Sequence, residues 1–274
     1  MSAPEKAGAD NLKRLNLTTE VGWPDLQTNT FWDLAISGHA PASKGGRPLN
    51  IAATDDKFRK ISIDEFLGYV DLVRKLPRLK QVNMHPPPRQ WLDESEVAVR
   101  QSEYGLMIDG FRQIAAAAAT WGIEIVLENS TVDWAHIRDD ISAEHADWGS
   151  VNVDFGVAPE EWIQICEDVS RENFALCLDT SHACTHAHTI SVMERRAEIV
   201  MAYVSKPDLI RHVHWNDNFL YDSRGRADSH ALLGKGTMPV DLHKVVKGLD
   251  ATLLIEHFYT VEDLEEELEY IAQL

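Results

Sequence analysis

Residues 212–236, HVHWNDNFLYDSRGRADSHALLGKG, gather three histidines and three aspartates and then finish in a Gly-Lys-Gly turn that no helix would carry. Imidazole and carboxylate together are the donor set of a divalent metal site, and open mixed sites of this kind are typical of catalysis. Similar residues recur at the ends of other apolar runs: His39 in LAISGHAP, His85 in LKQVNMHP, and Glu128 in IEIVLEN. Asp179 with His182 closes FALCLDTSH, His214 lies in IRHVHWND, and Glu256 lies in LLIEHF. One such residue at a strand end is ordinary. Six strands ending this way imply a shared destination.

The runs themselves say where that destination is. Strands are expected over 14–21, 34–41, 79–86, 123–129, 174–182, 210–217 and 253–258, with helical patterns over 62–76, 95–121, 159–170, 191–205, 239–249 and 260–273. Ser62 before IDEF and Thr260 before VEDLEEELEYIAQL supply start signals with acidic first turns. Nearly continuous apolar strands alternating with helices predict an α/β protein with a parallel sheet, and its count of strands favours a closed TIM (β/α) barrel. The absence of GxGxxG after the first strand disfavours a dinucleotide-binding sheet. In a parallel barrel every strand C-terminus opens on one face, which carries the active site. The expectation is one TIM-barrel domain over 1–274, irregular in its N-terminal unit because 22–33 is too short for a βα repeat and no eighth strand is obvious. A long acidic insertion at about 130–158 reads as a lid.

Composition bounds the partners. Hydrophobic residues make up 44% of the 274-residue chain, enough for a full core, and the net charge is −18. That sign makes nucleic acid an unfavoured partner and points to a small-molecule substrate. No apolar stretch is long enough for a membrane span or a signal peptide, so no membrane association and a cytoplasmic location are expected. A homo-oligomer is compatible with all of this. Cys166, Cys177 and Cys184 form no CxxC pair and are expected as buried or incidental thiols.

The motifs GHAP, NMHPPP, VLENS, CLDTSHA, HVHWNDN, DSHALLGKG and LLIEHF, in this order over residues 34–274, resemble the xylose isomerase-like TIM barrels. That superfamily includes sugar isomerases and epimerases and the DNA-repair enzyme endonuclease IV. Resemblance to the sugar enzymes implies one divalent ion (Zn, Mn, Co or Mg) held by Glu128, Asp179, His214 and Glu256. Glu128 and Glu256 would then exchange a proton with a sugar-like substrate through a metal-stabilised enediolate, and His182 would bond a substrate oxygen. Resemblance to endonuclease IV implies up to three zinc ions, with His39, His85, His182, Asp228 and His230 as added ligands for phosphodiester hydrolysis. Against the second, APASKGG after His39 holds no bulky side chain to wedge into a DNA stack. An isomerase or epimerase is therefore expected. A multi-zinc hydrolase and a non-catalytic metal-binding barrel stand as alternatives.

Further expectations concern the surroundings. Arg89, Trp91 and Lys235 are candidates for substrate binding, Lys235 through a phosphate. Asn129 and Asp217 could orient ligands. His186 and His188 are expected at the surface or just behind the site, and His212 and His257 are expected to face away from it.

Overall fold

A computed structural model of the protein describes residues 7–22, 26, 29–90, 101–256 and 260–274. Seven strands form one parallel sheet: β1 (Thr19–Val21), β2 (Ala35–His39), β5 (Gln81–Met84), β7 (Glu124–Glu128), β9 (Phe174–Asp179), β10 (Ile210–Trp215) and β11 (Thr252–Ile255). Two short hairpin strands, β3 (Ser43–Lys44) and β4 (Arg47–Pro48), follow β2. A second small ribbon pairs β6 (Pro88–Gln90) with β8 (Val153–Asp154). The seven strands neighbour one another in chain order, as a barrel requires, and β1 and β11 are the two edges among the described residues. The architecture is a nearly closed α/β TIM-like barrel. Its polar lumen spans the gap: Glu20 of β1 lies 3.2 Å from ring nitrogens of both His212 and His214 of β10.

Local chemistry explains the helices. They are α1 (Ala9–Arg14), α2 (Asp56–Val73), α3 (Tyr104–Ala119), α4 (Pro159–Val169), α5 (Thr180–Ala187), α6 (Arg196–Ala202), α7 (Val240–Lys247) and α8 (Val261–Gln273). Proline at the start of α4 has no N–H to leave unpaired, and Ser170 ends the helix in the left-handed region. Thr260 and Asp263 form a reciprocal capping box on α8. The inner faces pack one continuous core around Trp162, Tyr69, Phe111 and Met107. No described helix is long and apolar enough to cross a membrane.

Three expectations need correction. Helix α2 begins at Asp56, not 62, because Asp55 caps it by accepting from the Phe58 amide at 2.7 Å. Ser62 is instead buried in mid-helix, donating to the Phe58 carbonyl and accepting from the Asn50 amide. Strand β9 stops at Asp179, whose carboxylate accepts from the His182 amide and starts α5, so His182 sits on a helical first turn and not on a strand. The start of the expected helix at 95–100 lies outside the described residues.

The insertion at 130–158 is a folded cap with its own small core of Trp134, Ile137, Ala143 and Val151, in which Trp134 and Trp148 meet edge to face. Trp134 Nε1 donates to the Thr185 carbonyl, tying the cap to α5. Arg226 donates to the carbonyls of Arg138, Asp139 and Ile141 and lies over the Trp134 ring, tying it to the loop after β10. This geometry makes the cap one wall of a cleft.

Candidate metal centre

The C-terminal ends of the strands bring the nine candidate ligands into three overlapping groups. Glu128, Asp179, His214 and Glu256 place one ligand atom each within 4.8 Å of all the others. His39, His85 and Glu128 form a second group, and Asp179, His182, Asp228 and His230 a third. Glu128 and Asp179 are each shared by two groups. The two oxygens of Glu128 divide between them: Oε1 is 3.2 Å from His214 Nδ1, and Oε2 is 3.6 and 3.5 Å from the Nε2 atoms of His39 and His85.

Do these residues fit a divalent ion? The His39–His85 nitrogens are 3.3 Å apart, so the second group is a near-equilateral triangle of donors. Its edges match the roughly 3.4 Å separation of donors around a tetrahedral zinc with bonds of about 2.0–2.1 Å. His214 Nδ1 is buried and makes no in-line hydrogen bond, yet it has carboxylate oxygens at 2.9 Å (Glu256), 3.2 Å (Glu128) and 3.8 Å (Asp179). A ring nitrogen set among three oxygens, and aligned with none of them, is the arrangement of a ligand. Asp179 Oδ2 is likewise buried without a hydrogen-bond partner, and His230 Nε2 has Asp228 Oδ1 at 2.8 Å.

The far side of each ring agrees. His39 Nδ1 faces the Ala40 carbonyl at 3.2 Å, His182 Nδ1 the Asn129 carbonyl at 2.8 Å, and His230 Nδ1 the Glu256 carbonyl at 3.0 Å. A proton on those atoms leaves Nε2 unprotonated toward the cluster. The chain therefore holds buried His/Glu/Asp clusters suited to a divalent metal.

In the metal-free chain, protons and ion pairs balance the cluster. Burial opposes charge on every member, and neighbouring charges decide the outcome. Burial would depress His39, but Glu128 and Glu20 outweigh it and hold the ring at about 9; His85, with weaker help from Glu128, falls to about 4. Burial also works against His182 and His214, yet their carboxylate neighbours push both well above the ordinary histidine value. Asp179 is raised to about 7 by burial, which the opposing charge of His182 does not overcome. Glu256 resists burial because His214 faces it, and drops to about 2.

Two loops make this possible. Asn129 grips Asp179 from both sides, donating to its carbonyl at 3.0 Å and accepting from its amide at 2.7 Å. Asp217, buried just past β10, accepts from four backbone amides: Asn218, Gly234, Gly236 and Met238, at 2.8–3.1 Å. This explains the Gly-Lys-Gly turn. Gly234 has φ +81°, and a Cβ on Gly236 would lie 2.3 Å from Asp217 Oδ1. The carboxylate and the glycines together fold 229–238 back so that Asp228 and His230 face the cluster.

Among the described residues, Lys235 and Arg89 do not join it. Lys235 is exposed and paired with Glu266 of α8 at 2.5 Å. Arg89 pairs with Glu161 and lies over the Phe155 ring. Trp91 and His257 lie outside the described residues. His186 and His188 are packed rather than superficial, His186 against the Tyr203 hydroxyl and His188 against the Phe219 carbonyl. His212 does not turn away from His214: residues two apart on a strand share a face, and both rings meet Glu20 in the lumen. The three cysteines are buried and free.

Residues that the sequence did not single out complete the surroundings. Glu20 and Asn83 floor the cluster; Asn83 Nδ2 donates to Glu128. Asp154 lines two cavities that flank the ligands. One, of about 400 Å³, includes His85, Pro48 and Phe66; the other, of about 660 Å³, lies between the cap and Ser223–Asp228. A charged residue inside a strand that is otherwise buried on both faces is the signal that marks Glu20. No comparable signal marks Asp154.

Fold and site together place this chain in a known group. The family described as Xylose isomerase-like TIM barrel matches residues 26–274, and the chain belongs to it. No curated protein matches the sequence. Among solved structures, a D-tagatose 3-epimerase-like protein is 22% identical with a TM-score of 0.58, over 97% of this chain and 85% of that one. Endonuclease IV from Thermus thermophilus is 16% identical with a TM-score of 0.58, over 96% and 91%. The IOLI protein, solved with a zinc atom, is 18% identical with a TM-score of 0.58, over 92% and 85%. At these identities the likeness is one of fold.

Proposed function

We propose that this chain is a divalent-metal-dependent isomerase or epimerase acting on an uncharged, polyhydroxylated small molecule of the sugar type. The observation that carries this reading is the cleft between the cap and Ser223–Asp228, which reaches the ligands at Asp228. Its walls present Asp133, Asp139, Asp154 and Asp228, against Arg224, which is paired with Asp222, and Arg226, which is spent on cap carbonyls. A phosphate ester entering there would meet carboxylates, whereas a neutral polyol would find acceptors for its hydroxyls. An ion at the quartet would polarise a carbonyl and stabilise charge as the adjacent carbon loses its proton. Glu128 and Glu256, approaching His214 from two directions, are placed to take and return that proton, and His182 to bond a substrate oxygen. The D-tagatose 3-epimerase-like neighbour supports the same class.

A second reading rests on a specific observation. The sharing of Glu128 and Asp179 among three ligand groups suits a multinuclear hydrolase, in which both glutamate oxygens are committed as ligands. One experiment separates the two. The protein is loaded with Mn²⁺, Co²⁺ or Zn²⁺, its metal content is measured, and a panel of ketoses is incubated with it in D₂O. Deuterium entering a ketose beside its carbonyl supports the proposal. No exchange, together with three zinc ions per chain and cleavage of bis(p-nitrophenyl) phosphate, would replace it with the second reading.

A further inference from the structure

The lumen beneath the ligands is filled by a run of polar side chains that the proposed chemistry does not use. Glu20 Oε1 lies 3.2 Å from His214 Nε2, and its other oxygen accepts from His212 Nε2 at 3.2 Å. His212 Nδ1 meets the Thr252 hydroxyl, which donates to Gln81 Oε1 at 2.9 Å; Gln81 Nε2 donates to Glu124 at 2.7 Å. Glu20 and His214 are fully buried, and Glu20 comes from the first strand of the sheet while His214 comes from the sixth. A carboxylate taken this far from water costs several kcal/mol unless it is paired, so its position facing His214 must be compensated there.

We infer that Glu20 is a positioning residue of the metal centre: from across the barrel lumen it holds the His214 ring with Nε2 protonated and Nδ1 turned to the ion. This rests on the quartet being a metal site, as proposed above. The ring's two nitrogens face different partners. Nδ1 faces Glu256, Glu128 and Asp179, and Nε2 faces Glu20. His212 and Thr252 anchor the second oxygen of Glu20, so the carboxylate cannot swing away. A carboxylate behind a ligating imidazole fixes its tautomer and raises its basicity, and loss of such a partner weakens metal binding by about 10–100-fold.

The test is Zn²⁺ affinity, by competition with a chromophoric chelator, for wild type, Glu20→Gln and Glu124→Gln. Glu124 is the outer end of the same chain and touches no ligand. The expected result is a loss of about 10–100-fold for the tightest zinc in Glu20→Gln and less than about a twofold change in Glu124→Gln. Equal affinity in wild type and Glu20→Gln would overturn the inference while leaving the metal centre standing. A wild type that binds no zinc would remove both. Should Glu20→Gln fail to fold, a crystal structure of the zinc-loaded wild type decides: ligation through His214 Nδ1 upholds the inference, and ligation through Nε2 refutes it.

Discussion

Asp217 is the residue whose replacement should reveal how the ligand-rich loop is held. Each of its oxygens takes two amides: Oδ1 those of Asn218 (2.8 Å) and Met238 (3.1 Å), Oδ2 those of Gly234 and Gly236 (both 3.0 Å). Asp217→Asn keeps the shape but turns one oxygen into an NH₂, which would face two donors. Two charge-assisted bonds are lost, each worth about 1.5–3 kcal/mol, so the loop should lose about 3–6 kcal/mol. That is a large share of the roughly 5–15 kcal/mol that a domain has to lose. Two observables capture it. If the loop and barrel unfold together, urea denaturation shows the full loss. If the loop opens alone, the barrel keeps its midpoint, but the amides of Gly234, Gly236 and Met238 exchange about 10²–10⁴ times faster. A variant within about 1 kcal/mol of wild type with those amides still protected would refute the account.

Other perturbations have signs set by the structure. His85→Gln removes one corner of the His39–His85–Glu128 triangle only, so a multinuclear protein should lose one ion by elemental analysis and keep those at Asp179 and His214. Asp154 is raised to about 7, chiefly by burial and further by Asp133. A carboxyl whose folded value lies above its unfolded one loses stability as pH rises between the two, so Asp154→Asn should gain up to about 4 kcal/mol on wild type between about pH 4 and 8 by denaturant titration. Chelation should cost more melting temperature at about pH 9 than at about pH 6. In the metal-free chain, burial opposes charge on His39 and His230, but their carboxylate neighbours hold both at about 9, while burial holds Asp179 at about 7. The stabilisation from His39 and His230 is fully present below about 6.5 and lost as pH rises through about 9, and Asp179 costs stability from about 4 to about 7. Metal binding strengthens over the same range, because ligands must be deprotonated. A gap between loaded and chelated melting curves that narrows with pH would contradict this.

The strands were legible because burial on both faces leaves an unbroken apolar run, and a ligand at its end interrupts that run visibly; Glu124–Glu128 and Phe174–Asp179 are of this kind. Helix starts were less so. TDDKF and SIDEF both offer a capping side chain before an acidic turn, and only the folded contacts distinguish them: the Asp55 carboxylate takes the Phe58 amide, whereas the Ser62 hydroxyl is engaged by the Asn50 amide and the Phe58 carbonyl. The fold of 130–158 was hidden because its small core of tryptophans has no period, and its attachments, Thr185 and Arg226, are distant in sequence. The role of Glu20 was hidden for the same reason: its charge inside a buried strand is visible, but its partner His212 lies 192 residues away. Pairings of that length are set by topology, which local pattern cannot report.

The same distances also bear on which chemistry the barrel performs. Glu128 has one oxygen toward His214 and the other toward His39 and His85. A carboxylate with both oxygens committed to ions has its basicity suppressed, so Glu128 cannot serve at once as a bridge and as a proton acceptor. Glu256 escapes this conflict, since it belongs to the quartet alone. Occupancy of the His39–His85 corner is therefore the variable that separates the two readings: when that corner is empty, the two glutamates are available as an acid–base pair; when it is filled, only Glu256 is. An imidazole held near 9 beside one near 4 means that, in the metal-free chain, the His39–His85 corner carries a single extra proton, on His39, around neutral pH. That proton must leave before an ion can bind there. Filling of this corner should accordingly depend on pH more steeply than His85 alone would make it, and proton transfer by Glu128 should fade as the corner fills.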